Sequence, residues 1–146
     1  MGATGWSYVT PYQEDADAAL QALRQQVFAD GDYESPANWG LPVPASLTGF
    51  YTDEAYREFL GTIGTHSILD VFSVIPSHEP HDVGAVRRWP HAANEAAWGS
   101  ERPTRADFEK AANNRIDDAP RWSGNCVVLY DGDKPAWLGF WGFSGF

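Results

Sequence analysis

The stretch Gly124–Phe146, GNCVVLYDGDKPAWLGFWGFSGF, constrains the fold more than any other part of the chain. Two apolar runs, Cys126–Tyr130 and Ala136–Phe143, flank Asp131-Gly132-Asp133-Lys134. β-Branched and aromatic side chains suit a pleated, half-buried surface. Asp-Gly supplies the positive-φ conformation that short hairpin turns need. The pattern predicts a β-hairpin over 125–143. In its second strand Trp137, Gly139, Trp141 and Phe143 alternate onto one face, with Leu138 and Phe140 on the other. Large apolar groups on both faces imply that both are covered. Gly139 and Gly142 make room for a close neighbour or bend the strand.

The rest of the chain reads as elements to pack on that hairpin. Trp6-Ser7-Tyr8-Val9 alternates as a short strand. Thr10, Pro11 and Gln13 then carry helix-start signals, with Glu14, Asp15 and Asp17 at the positive end of the dipole. Leu20, Leu23 and Val27 recur at helical spacing and Gly31 marks a stop, so a helix is expected over 11–29. Residues 31–50, broken by Pro36, Pro42 and Pro44, read as a long packed loop or a site cover. A second, shorter helix is expected from Thr52-Asp53-Glu54, with Tyr56, Phe59 and Leu60 on its apolar face. Ser67–Ile75 has the length and β-branched content of a buried strand, with Asp70 the exception inside it. Short helices follow over His91–Trp98 and from Thr104, the second with Phe108, Ala111, Ala112 and Ile116 on its inner stripe.

These elements give an α+β class: a small antiparallel or mixed sheet of about three to five strands, with three to four helices mainly on one face. A chain of 146 residues fits one domain and can bury an adequate core. No internal repeat or domain boundary stands out.

Composition narrows the function classes. There are 10 basic and 20 acidic residues, a formal net charge of −10. Such a surface repels a phosphate backbone, so nucleic acid is not an expected partner. Cys126 is the only cysteine, which fits a reducing, cytoplasmic setting. The N-terminus lacks the pattern of a signal peptide, and no apolar run approaches the roughly 20 residues of a membrane span. Seven Trp, eight Phe and six Tyr supply large aromatic area for a core, a pocket or an interface.

No motif specific to one reaction is present: there is no GxSxG, P-loop or GxGxxG, and no cofactor is expected. Several residue sets can still carry chemistry. His66 and Asp70 are the catalytic candidates, as an imidazole and a carboxyl inside or beside an apolar run. On an ideal strand they share a face but stand too far apart to touch, at about 3.3 Å per residue. The bland alternative is a structural His and a carboxylate held by backbone N–H groups or an Arg. His78 and His81, within His78-Glu79-Pro80-His81-Asp82, are weak metal candidates with His91 a third ligand. A solvated polar loop is the alternative, since Pro80 disfavours helical presentation. Cys126 sits in a strand with no local activating cation, so burial is expected. Trp39, Arg87, Arg88, Trp89, Trp137 and Trp141 are the candidates for ligand or partner binding, through aromatic faces and the bidentate guanidinium fork.

Two function classes follow. One is a non-catalytic binding or regulatory protein that meets another protein through an aromatic, acidic surface, as an inhibitor- or immunity-type partner would. The other is a small enzyme or small-ligand-binding protein with an aromatic pocket, served by His66 and Asp70 or by a His78/His81 metal site. A deep pocket converging on His66 or Asp70 favours the second; a shallow face rimmed by Asp and Glu favours the first. A self-complementary homo-oligomer is a third use of the aromatics.

Overall fold

A computed structural model describes residues 4–113 and 119–145. Its centre is the predicted hairpin, β4 (Ser123–Asp131) and β5 (Lys134–Ser144), joined through Gly132 and Asp133 with Gly132 at φ 63°. β5 also pairs antiparallel with β1 (Thr4–Pro11), from Thr4 against Ser144 to Pro11 against Trp137. On the other side β4 runs parallel to β3 (Ala85–Arg88), and β3 parallel to β2 (Ser73–Ile75). The result is a five-stranded mixed sheet in the order β1-β5-β4-β3-β2, and the class is α+β.

Strand alternation sorts the core into two halves. Leu138, Phe140, Cys126, Val86, Trp6 and Tyr8 meet helix α1 (Ala16–Asp30) through Ala16, Ala19, Leu20 and Val27. On the opposite face Trp137, Trp141, Val127, Leu129 and Val9 meet Trp98 of α4 (Asn94–Trp98) and Phe108 of α5 (Arg105–Asn113). Gly139 is where Phe108 approaches: a Cβ there would stand 2.8 Å from its ring. Gly142 does the same for Trp6, at 2.5 Å. Beyond α1 lies an outer layer of α2 (Leu47–Thr52) and α3 (Arg57–Thr62), where Phe50, Tyr56 and Phe59 gather with Phe28, Tyr33, Leu41 and Leu60.

Some elements differ from the sequence reading. α1 starts at Ala16 rather than 11, because β1 stays hydrogen-bonded to β5 through Pro11 and the Tyr12 N–H still donates to the Ala136 carbonyl. Asp15 is the N-cap, accepting from the Ala18 N–H at 3.1 Å, and Gly31 closes the helix at φ 68°. The expected helix from Thr52 is instead α2, a 3-10 turn at Glu54–Tyr56, and α3. The loop 31–50 contains a 3-10 turn, Pro36–Trp39, and the first residues of α2. The run Ser67–Ile75 is a strand only at Ser73–Ile75; Ile68–Asp70 is a 3-10 turn capped by Ser67. The helix from Thr104 forms as α5, where Thr104 Oγ accepts the Asp107 N–H and Asp107 returns to the Thr104 N–H. Ile116, placed on its inner stripe from sequence, lies outside the described residues. Among the described residues no helix is long and apolar enough to cross a membrane.

Candidate functional site

Three parallel strands begin side by side, and each is preceded by a residue that faces the same space. Phe72 precedes β2, Gly84 precedes β3 and Trp122 precedes β4. The backbone ties them together: the Phe72 N–H donates to the Gly84 carbonyl, and the Gly84 N–H donates to the Trp122 carbonyl, both at 2.7 Å. A cavity of about 240 Å³ opens here, lined by Tyr51, Leu60, Gly61, Asp70, Phe72, Val83, Gly84 and Trp122. Phe72 and Val83 form an exposed apolar rim, with 46% and 75% of their surface accessible. Loop 31–50 contributes no lining residue; α2 and α3 contribute Tyr51, Leu60 and Gly61.

Asp70 is the one carboxyl among the described residues of the wall, and only 7% of it is exposed. The 3-10 turn swings its side chain back over the preceding bend. There the Thr65 N–H donates to both oxygens, at 2.9 and 3.1 Å, and the His66 N–H donates at 3.1 Å. The Ser144 hydroxyl also bonds it and itself accepts the Trp6 indole N–H at 2.8 Å. One carboxyl thus links the bend, β5 and β1. Burial nevertheless outweighs these donors and raises its pKa above the usual carboxylate range.

The backbone around Asp70 is unusual. His66 and Trp122 adopt positive φ, 52° and 66°, in the left-handed region that costs a residue with a Cβ of order 1–3 kcal/mol. Gly64, at φ 75°, lies so close that a Cβ would fall 2.5 Å from the Trp122 ring and 3.0 Å from Asp70 Oδ2. Only glycine allows that ring to close one wall of the cavity.

Tyr51 completes the aromatic lining. Its hydroxyl donates to the Leu69 carbonyl, and burial pushes its pKa to about 12. Its ring meets Phe72 edge-on at 5.0 Å. The buried Arg24 guanidinium lies over both rings, 5.3 Å from Tyr51 and 5.1 Å from Phe72, and is held by Gln21 Oε1 at 2.9 Å. Gln21 also donates to the Phe72 carbonyl at 2.8 Å.

The residues singled out from sequence fall in different places. His66 and Asp70 do come together, but through the His66 main chain; the carboxylate does not hold the imidazole. Trp39 is 55% exposed and is not among the described residues that line the cavity. Arg87, Arg88 and Trp89 alternate along and after β3. Trp89 and Trp141 pack at 5.3 Å within the core that Trp98 shares, and Trp137 borders it. Arg105 lies over the Trp137 ring at 5.8 Å. His81 hydrogen-bonds Asn125 at 2.9 Å, His91 sits 3.3 Å from Asn94, and His78 is exposed. Among the described residues no three His, Cys, Asp or Glu side chains gather as a metal would require. Cys126 is buried, and desolvation pushes its thiol to about 12, which keeps it protonated.

Of the cavity walls, sequence reasoning named only Asp70 as a site residue. The Gly64-to-Asp70 bend carried one unused signal: Ser67-Ile68-Leu69-Asp70 has the spacing of a capping box, in which an acid reaches back to main-chain N–H groups. No protein-family model, no curated protein and no solved structure matches this chain significantly.

Proposed function

We propose that this protein is a non-catalytic binding protein, with its recognition site in the cavity at the start of the three parallel strands. The observation that carries the reading is the make-up of the walls: mostly aromatic and aliphatic groups around one anchored carboxyl. Ligand sites combine such a lining with a few fixed polar groups. Acid–base chemistry asks for a group free to take or give a proton in reach of substrate. Asp70 is already engaged by N–H donors, and the Tyr51 hydroxyl is committed to Leu69.

Gly61 offers the test. It lies in α3, lines the cavity, and has nothing within 4 Å of the place a Cβ would occupy. Gly61→Leu should fill the cavity while leaving the fold intact or more stable, since glycine in a helix costs roughly 0.5–1 kcal/mol against alanine. In a thermal-shift screen of one- and two-ring compounds, hits should raise Tm of the native chain and not of Gly61→Leu. Hits that stabilise both chains equally would place the binding elsewhere.

A second reading keeps the binding class but moves the surface. Trp39 and Val43, 55% and 67% exposed, belong to a stretch, 30–58, that also carries exposed Asp30, Asp32, Asp53, Glu54 and Glu58. Arg57 in that stretch is paired with Glu54 at 3.3 Å. An apolar centre in an acidic field suits a basic protein partner, as an inhibitor- or immunity-type role would need. Either version fits a cytoplasmic protein that does not engage nucleic acid, an expectation supported by the net charge of −10.

A further inference from the structure

We propose that the cavity takes an organic cation carried on an aromatic body, an arylalkylamine, with its ammonium at Asp70 and its ring among Tyr51, Phe72 and Trp122. The inference rests on the reading of the cavity as a binding site and goes on to name its ligand class.

Charge and lining point the same way. Among the described residues of the wall Asp70 is the only formally charged group, and none of them is Lys, Arg or His. None of the ion pairs Arg57–Glu54, Arg102–Asp133 and Arg105–Glu109 involves Asp70, which has no counter-charge among the described residues that line the cavity. A buried carboxylate is costly unless paired and hydrogen-bonded. The protein supplies the hydrogen bonds, from Thr65, His66 and Ser144, and a bound ammonium would supply the pair. Because those donors fix the carboxyl in advance, little ordering is left to the ligand.

The three rings add to this. Aromatic faces attract cations through the ring quadrupole, and carboxyl-plus-aromatic enclosures suit ammonium groups. The Tyr51 and Phe72 rings already hold one cation, Arg24, although that residue is not part of the cavity wall. Arg24 opposes a second positive charge. Coulomb attraction falls with distance, however, and a carboxylate in contact outweighs a guanidinium set apart from the ligand by the two rings. The net charge of −10 adds long-range attraction for cations. Size agrees as well. An apolar cavity of about 150 Å³ is enough for benzene, so about 240 Å³ admits a ring system with a short amine arm.

Calorimetry with three probes on one ring system tests the assignment: indole, tryptamine and indole-3-acetate. Tryptamine should bind at least about tenfold more tightly than indole, and indole-3-acetate most weakly, its carboxylate facing Asp70. Asp70→Asn should erase the preference for the amine. Because that variant disturbs a buried network, the rim gives an independent measurement. Val83 is 75% exposed, so Val83→Lys should preserve the fold and lower the affinity of tryptamine relative to indole several-fold, and Val83→Glu should raise it. Tryptamine binding no more tightly than indole, with that ratio unmoved by both Val83 variants, would overturn the cation assignment while the cavity reading stands. If none of the three binds, the cation assignment fails. If the broader screen also finds no hit that Gly61→Leu abolishes, the cavity reading fails with it.

Discussion

Asp70 is held by main-chain N–H groups and still resists ionisation, because burial outweighs the donors around it. This has a pH consequence with a definite sign. The native pKa lies above the unfolded one, so native Asp70 keeps its proton longer as pH rises. Its favourable contribution is fully present below the unfolded value near 4 and is lost as pH climbs through the raised native value. Compared with Asp70→Asn, which keeps one carbonyl oxygen for the Thr65 and His66 N–H groups, the native chain should lose relative stability across that window. The slope should not exceed about 1.4 kcal/mol per pH unit, and the difference should then level off. Urea unfolding of both chains from acid to neutral pH measures it, and a difference that grows with pH would show a depressed carboxyl instead. The sequence marks Asp70 as out of place in an apolar run. The geometry that holds it was hidden because Ile68, Leu69, Val71 and Val74 read as strand. The capping-box spacing and the Gly64 stop won over that propensity.

Among the elements, the aromatic core under α4 and α5 departs from the usual rule that buried indoles find acceptors. Trp98 meets Trp141 edge-to-face at 5.5 Å and Trp89 at 6.1 Å, and Phe108 meets Trp141 at 5.9 Å. The N–H groups of Trp89, Trp98 and Trp141 have no hydrogen-bond acceptor among the described residues. Ring edges set against ring faces offer weak compensation. On the other face of the sheet Trp6 donates to Ser144 at 2.8 Å. The same conservative change should therefore act differently on the two faces. Trp6→Phe should cost about 1–1.5 kcal/mol more than packing alone predicts, because it breaks a buried hydrogen bond. Trp141→Phe should show no such excess. Trp141→Ala, which removes the whole packing, should cost on the order of 3–5 kcal/mol. Urea unfolding of the three variants decides it, and a loss below about 1 kcal/mol for Trp141→Ala would contradict the placement of this ring in the core.

At the scale of the whole molecule, legibility followed locality. The hairpin, its turn and its two apolar faces were readable because strand alternation and Asp-Gly act within a few residues. The start of α1 departs from the local pattern because Thr10 and Pro11 carry real helix signals that a distant strand overrides by pairing. The cavity was beyond reach for a related reason. Tyr51, Leu60, Asp70, Phe72, Val83 and Trp122 come from separate segments, and only the parallel order of β2, β3 and β4 brings them together.

That strand order also bears on how the chain is made. β1 pairs with β5 alone, across the interval from Thr4 to Ser144. On a ribosome the first strand is synthesised early and has no partner until β5 has emerged. α1 can form meanwhile, but the sheet surface it needs, built from Cys126, Leu138 and Phe140, does not yet exist. Contacts so distant in sequence slow folding, and an unpaired strand is a ready template for other chains. The demand on cellular holding factors is therefore concentrated in one interval of translation, from the release of Trp6 and Tyr8 to the arrival of Phe140.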